Sequence, residues 1–273
     1  MTLLAGHRFA VAPHFHMSAD WSRRLLVGTG VVEVDGCFFP EPSWRAPTPD
    51  ELPLLIRASD GPLLLEELEA SVCLFQLPAH CHSAWWKLLE QASGVLSEGR
   101  IAGFDAFVRE VGEFMIFKGL PVPEDARWDV VVSSPGRRFV HGGAQTRCPG
   151  GLLCNLVASA PWPWAHEHYW PKLWGGINLG DEATSVVLIN LPCQQLDAEV
   201  HRRVPQQASA ATVGELVASF LRSCSDYPAV RLVLGPAEGY RLPRGGLILD
   251  GYVENKQEPG VLLLISHQGQ PST

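Results

Sequence analysis

The chain has 273 residues, of which 46% are hydrophobic and 18% charged, the proportions of a packed globular protein and not of a disordered one. Its formal net charge is −8, and Arg137-Arg138 and Arg202-Arg203 are isolated basic pairs, so nucleic-acid binding, which needs clustered cations against phosphate, is excluded as an expectation. No stretch approaches the ~18 apolar residues of a membrane span, and none near the N-terminus suits a signal peptide, so a soluble cytoplasmic protein is expected.

The seven cysteines (Cys37, Cys73, Cys81, Cys148, Cys154, Cys193 and Cys224) form no CxxC pair, which removes zinc ribbons and thioredoxin-type redox sites and favours reduced thiols. One domain over 1–273 is expected, with a mainly helical region at 1–118 and a strand-rich core at 119–273.

In chain order, Ser18 to Leu26 reads as a short helix capped by Ser18. Val31–Val34, the Asp35-Gly36 turn and Cys37–Phe39 form a hairpin signal. Thr48-Pro49-Asp50-Glu51 is a helix start, with Thr48 and Glu51 spaced as a capping box and Pro49 at the first helical position. Asp60-Gly61-Pro62 ends that helix, and Leu63 to Phe75 reads as another. Ser83–Leu96 and Phe104–Phe117 follow as amphipathic helices. In the second, Phe104, Phe107, Val108, Val111 and Met115 recur at spacings of three and four.

Gly119-Leu120-Pro121-Val122-Pro123 marks the change from helix to strand. Strands are predicted at 129–133, 137–142, 151–158, 175–179, 184–191, 230–235, 245–249 and 260–266, with a helix from Thr212 to Cys224. Two hairpins stand out, 176–180 with 184–191 across Asp181-Glu182-Ala183, and 247–251 with 260–266. Strands without alternating helices exclude a doubly wound sheet and point to an α+β protein with a jelly-roll or distorted-barrel core. No GxGxxG or Walker A motif is present, and Gly28-Thr29-Gly30 is too short to serve.

Six of the ten histidines fall in three His-x-His pairs: His14/His16, His80/His82 and His166/His168. Residues two apart share a face on a strand, where such a pair can chelate one metal ion. The first two pairs lie at predicted helix starts, where side chains two apart diverge. His166-Glu167-His168 lies in the strand-rich half among Trp162, Trp164, Tyr169, Trp170 and Trp174, residues suited to wall or cover a small-molecule pocket. Nucleophilic catalysis has weaker support. There is no Gly-x-Ser-x-Gly elbow, Cys154 fits an apolar strand, and a tight turn accounts for Asp181-Glu182.

The C-terminal half resembles the double-stranded β-helix of iron(II)/2-oxoglutarate-dependent oxygenases. The likeness rests on Trp128–Val132, Gly176–Gly180, Thr184–Leu191 and Leu242-Pro243-Arg244-Gly245-Gly246-Leu247-Ile248-Leu249-Asp250-Gly251. It implies a helical N-terminal half packed on a double-stranded β-helix of jelly-roll or cupin-like form. It also implies iron held by a His-x-Asp/Glu motif and a distal histidine, with 2-oxoglutarate anchored by a cation.

The chain departs from that ligand pattern, because no His-x-Asp or His-x-Glu occurs in it. His166 and His168 are the candidate metal ligands, with a second imidazole where the family has a carboxylate. The segment after Gly251, through Pro259, holds no histidine, and the next is His267. Arg244 and Lys256 are the candidate cosubstrate anchors. Three functions are compatible with this reading. The first is iron/2-oxoglutarate-dependent oxidation of a small, biosynthetic substrate. The second is metal-free acid/base chemistry by His166, Glu167 or His168 on the same scaffold. The third is ligand binding without turnover.

Overall fold

The computed structural model describes residues 2–12, 14–15, 20–57, 65–91, 101–133, 153–154, 173–207, 209–243, 247–252 and 256–267. In chain order the first half contributes β1 (Arg8–Val11), α1 (Trp21–Arg24), β2 (Leu25–Val27), β3 (Val31–Val34), β4 (Cys37–Pro40), α2 (Leu52–Leu55), α3 (Leu65–Ala70), β5 (Ser71–Gln76), α4 (Ala79–Gln91) and α5 (Phe104–Phe117). The second half contributes β6 (Ala126–Ser133), β7 (Leu153–Cys154), β8 (Leu173–Asn178), β9 (Thr184–Ile189), α6 (Cys193–Arg203), α7 (Val213–Ser223), β10 (Val230–Leu234), β11 (Glu238–Arg241), β12 (Ile248–Tyr252) and β13 (Gly260–His267).

The strands form a six-stranded sheet in the order β1-β5-β11-β8-β13-β6, a five-stranded sheet in the order β2-β10-β9-β12-β7, and the small β3–β4 hairpin. Within the two large sheets only β1 and β5 pair in parallel. The protein is thus an α+β structure in which the first half is not only helical. It adds β1 and β5 to one sheet and β2 to the other.

Alternation along the strands sorts side chains into layers. Phe9, Val72, Leu74, Tyr240 and Leu242 of the first sheet meet Leu25, Val186, Leu188, Leu232 and Leu249 of the second. On its other face the first sheet places Phe75, Ile177, Leu263 and Ile265 against Trp85 of α4 and Phe107, Val111 and Met115 of α5. The second sheet places Val187, Ile189 and Ile248 against Leu196 and Val200 of α6 and Leu216 and Phe220 of α7. Because both faces are covered, all six residues of β9 are buried, which explains its unbroken apolar run. Each fully buried Leu, Ile or Phe contributes about 1.5–3 kcal/mol, so these layers hold the fold together.

Several expectations are corrected. The helix expected over Leu63–Phe75 stops at Ala70, and Ser71–Gln76 forms a central strand between β1 and β11. Val, Cys, Leu and Phe buried on both faces there outweigh helix propensity. Of the helix expected over Ser18–Leu26, the Ser18 cap lies outside the described residues, Trp21–Arg24 forms a single turn after Asp20, and Leu25 begins β2 beside β10. Neither expected hairpin exists, since β8 and β9 lie in different sheets, as do β12 and β13. The turn residues do reverse the chain, but each reversal carries it across the gap between sheets. A cross-sheet hydrogen-bond network fixes the first of these corners. Buried Asn178 donates through Nδ2 to the carbonyls of Glu182 (2.9 Å), Leu234 (3.3 Å) and Gly235 (3.1 Å), and its Oδ1 accepts from Gly180 N–H at 3.1 Å.

Other expectations hold. The β3–β4 hairpin forms, and α5 spans Phe104–Phe117 as its spacing predicts. Thr212 caps α7 through its side chain, which accepts from Glu215 N–H. Glu51 accepts from Thr48 N–H at 2.8 Å as a capping box requires, but the helix expected to run on to Asp60-Gly61-Pro62 is the single turn Leu52–Leu55, and Ile56 is already extended. Strands β1 and β11 and helix α6 carried no clear sequence signal. Of the cysteines expected to be reduced, Cys73, Cys81, Cys193 and Cys224 are free, whereas Cys37 is disulfide-bonded. The strand expected at 137–142 lies outside the described residues, as do 155–158 of the strand expected at 151–158.

Candidate functional site

Lys256 lies four residues before β13, with its amine beside Gly260. Glu182, in the β8–β9 turn, fixes the connection from β12 to β13, its Oε2 accepting from the backbone N–H groups of Gln257 and Glu258 at 3.2 Å each. A turn position by itself accounts for the polarity of Glu182, and the structure adds this clamping role. Gly260 then opens β13 without a side chain. A Cβ there would lie 2.5 Å from Ser133 Oγ and 3.2 Å from Lys256 Nζ, so glycine leaves the space the amine occupies.

Ser133 ends β6 opposite Gly260 and donates from Oγ to the Gly260 carbonyl at 3.3 Å. Gly260 alternates with Leu262 and Leu264, which pack against Val131 of β6. The Lys256 amine therefore sits on the inner side of the first sheet.

Lys256 is 9% exposed, and its Nζ is a buried atom without a hydrogen-bond partner among the described residues. Burial lowers its pKa by penalising the ammonium form, and the Glu182 carboxylate opposes that shift only in part. Thr184 Oγ1, in line with inward-facing Val186 and Leu188, is a second buried polar atom without a partner. Buried polar groups in folded proteins are ordinarily hydrogen-bonded. Among the described residues His7 Nε2 and Trp85 Nε1 are likewise buried without a partner, but Lys256 is the lysine in this state.

The other sequence-predicted residues divide clearly. Trp174 is described and buried. It packs in the helix-covered layer of the first sheet, with Arg241 5.9 Å above its ring. It stands at the start of β8, whereas Lys256 adjoins the far end of that strand, so the structure does not bring these two together. Arg241 donates to the Leu68 carbonyl at 2.7 Å and sits beside Cys73, whose thiol burial pushes up to about 12. His166, Glu167, His168, Trp162, Trp164, Trp170 and Arg244 lie outside the described residues.

The fit of an iron centre can be tested on β12. Leu249 pairs with Leu188, and Leu247 and Leu249 both belong to the apolar layer between the sheets. Leu249-Asp250-Gly251, after which the distal histidine was expected, lies within the strand and continues into Tyr252. The candidate iron ligands His166 and His168 lie outside the described residues, as do residues 253–255 that follow β12.

The His80/His82 pair sits in the first turn and a half of α4, and His82 is turned to Trp86, whose Nε1 donates to its Nε2 at 3.3 Å. The divergence expected on a helix is what occurs. Comparison with protein-family models, curated proteins and solved structures finds no match. No described helix is long and apolar enough to cross a membrane.

Proposed function

We propose that this chain is a double-stranded β-helix protein of the oxygenase type that binds a small carboxylate ligand through Lys256. The fold reading is supported by the strand order. Counting β6 to β13 as eight consecutive strands, the first sheet holds the sixth, third, eighth and first, and the second sheet holds the fifth, fourth, seventh and second. Corresponding strands alternate between sheets, as a helix wound from paired strands requires.

The functional reading is carried by one observation, the buried, unpartnered Lys256 amine. A carboxylate would supply the missing charge and acceptors at once. 2-Oxoglutarate is the first ligand to test, and the wider substrate class is a small biosynthetic molecule. The free buried thiols of Cys73, Cys81, Cys193 and Cys224 favour a reducing compartment such as the cytoplasm, and the disulfide of Cys37 is the feature that opposes it.

Oxidation driven by iron and 2-oxoglutarate is the form of this function that rests on His166 and His168 as metal ligands. A second reading, metal-free proton transfer on the same scaffold, is favoured by the desolvated state of Lys256, since burial moves a lysine toward the neutral amine that can act as a base.

Calorimetric titration of 2-oxoglutarate, with and without Mn(II) under anaerobic conditions, tests both. Binding that weakens about tenfold to hundredfold in Lys256→Met supports the carboxylate site, and equal binding in that variant overturns it. Binding that needs Mn(II) and is lost in His166→Ala or His168→Ala selects the oxidative form. Binding indifferent to Mn(II) selects the metal-free form.

A further inference from the structure

On the outer side of the first sheet, away from Lys256, α4 and α5 pack together and bring three different metal-ligating side chains to one point. His80 and Cys81 come from the first turn of α4, and Glu110 from the middle of α5. One ligand atom of each lies within 4.8 Å of the other two, and His80 Nε2 is 3.4 Å from a Glu110 carboxylate oxygen.

We propose that His80, Cys81 and Glu110 form a binding site for a borderline-soft divalent cation, Zn²⁺ in the first instance. The donor set is an imidazole, a thiol and a carboxylate, the three protein ligand types that zinc takes. Bonds of about 2.0–2.3 Å in a tetrahedron set ligand atoms about 3.5 Å apart, so the cluster has only to tighten by roughly an ångström. A thiolate and a carboxylate together neutralise the dication, and the neutral imidazole adds a third bond.

Three protein ligands leave a fourth position to water, the arrangement of open zinc sites. Cys81 is buried while His80 and Glu110 are exposed, so a cation can enter from solvent and be closed from beneath by the sulfur. Its thiol is held protonated, at about 11, chiefly by burial and further by the Glu110 carboxylate. Binding the cation therefore releases that proton. The first turn of a helix is a favourable place for the thiolate so formed.

Among the described residues nothing else engages these groups as a set. His82 is occupied with Trp86, and the adjoining cleft of about 280 Å³, which Pro78 and Phe114 help to line, begins just before α4 and one turn beyond Glu110.

The test is a Co²⁺ titration of the full chain followed by Zn²⁺ competition. The expected result is one tight equivalent with thiolate-to-cobalt charge-transfer absorption and proton release. His80→Gln and Glu110→Gln, both at exposed positions that leave the core intact, each weaken it by more than about tenfold, the loss typical of outer-shell changes alone. The charge-transfer band vanishes in the double variant and in Cys81→Ser.

Failure to bind, binding without the thiolate band, or unchanged affinity in His80→Gln and Glu110→Gln overturns the proposal. The His166→Ala and His168→Ala variants leave this site unaffected, so its outcome is separable from that of the 2-oxoglutarate titration.

Discussion

The two ends of β9 both carry buried polar groups, and they differ in how those groups are satisfied. Beyond Ile189, Asn190 is fully buried and fully engaged. Its Nδ2 donates to the Leu4 carbonyl at 2.9 Å, its Oδ1 accepts from Tyr227 O–H at 2.7 Å, and its carbonyl accepts from His7 N–H at 2.6 Å. Tyr227 in turn accepts from Leu4 N–H at 3.2 Å. This cluster pins the N-terminal segment to the sandwich, and of its side chains His7 alone keeps a buried atom, Nε2, without a partner.

At the opposite end, Asn178 and Glu182 are spent on holding the corners, but Lys256 Nζ and Thr184 Oγ1 have no partner. The Asn190 side chain is spent on structure, whereas the Lys256 amine is a buried cationic group left without a partner among the described residues.

The largest effect expected from this contrast is at the paired end. Asn190→Ala strands the Leu4 carbonyl and the Tyr227 hydroxyl in the interior, and should cost about 3 kcal/mol in denaturant unfolding. Lys256→Met should act in the opposite direction, raising stability by about 1 kcal/mol at neutral pH while weakening ligand binding, because it deletes a buried, unpaired amine. A destabilised Lys256→Met protein would erase the distinction between the two ends.

That gain should also depend on pH in a defined sense. The folded pKa of Lys256 lies below its ordinary 10.5, so the unfolded chain binds more protons in the interval between the two values. The penalty is complete below the folded pKa and fades as pH rises toward 10.5. The stability difference between Lys256→Met and the wild type should shrink over that interval, as chemical denaturation across the alkaline range would record. Glu182→Ala, which frees the Gln257 and Glu258 N–H groups that hold the Lys256 loop, should cost about 1 kcal/mol and weaken ligand binding.

The smallest effect lies away from both ends. The Arg45 guanidinium, assisted by Thr48 N–H, holds the Glu51 carboxyl at about 2 against its ordinary 4.5. A depressed carboxyl contributes stability above its unfolded pKa and loses it as pH falls from about 4.5 toward 2. With Arg45 half exposed, solvent screening leaves this contribution on the order of 1 kcal/mol. Arg45→Gln should remove it at pH 7 and leave the stability at pH 2 little changed.

The sequence by itself determined the local elements whose signals are local. Examples are the 3.6-residue periodicity of Phe104–Phe117, the Asp35-Gly36 turn, the Thr212 cap, the Thr48–Glu51 capping half and the strand-rich second half. It also made Lys256 a candidate cation.

Tertiary structure alone decided which strands pair. Apolar runs buried on both faces, such as Thr184–Ile189, carry no mark of their partner, and a turn signal reports a reversal without saying which sheet receives the chain. The same limit made Ser71–Gln76 read as helix until β1 and β11 were seen on either side of it. Nor could spacing show that Lys256 would be buried without a partner, or that His80 and Cys81 would meet Glu110 across two helices. Those facts depend on distances between residues remote in the chain, and only packing sets them.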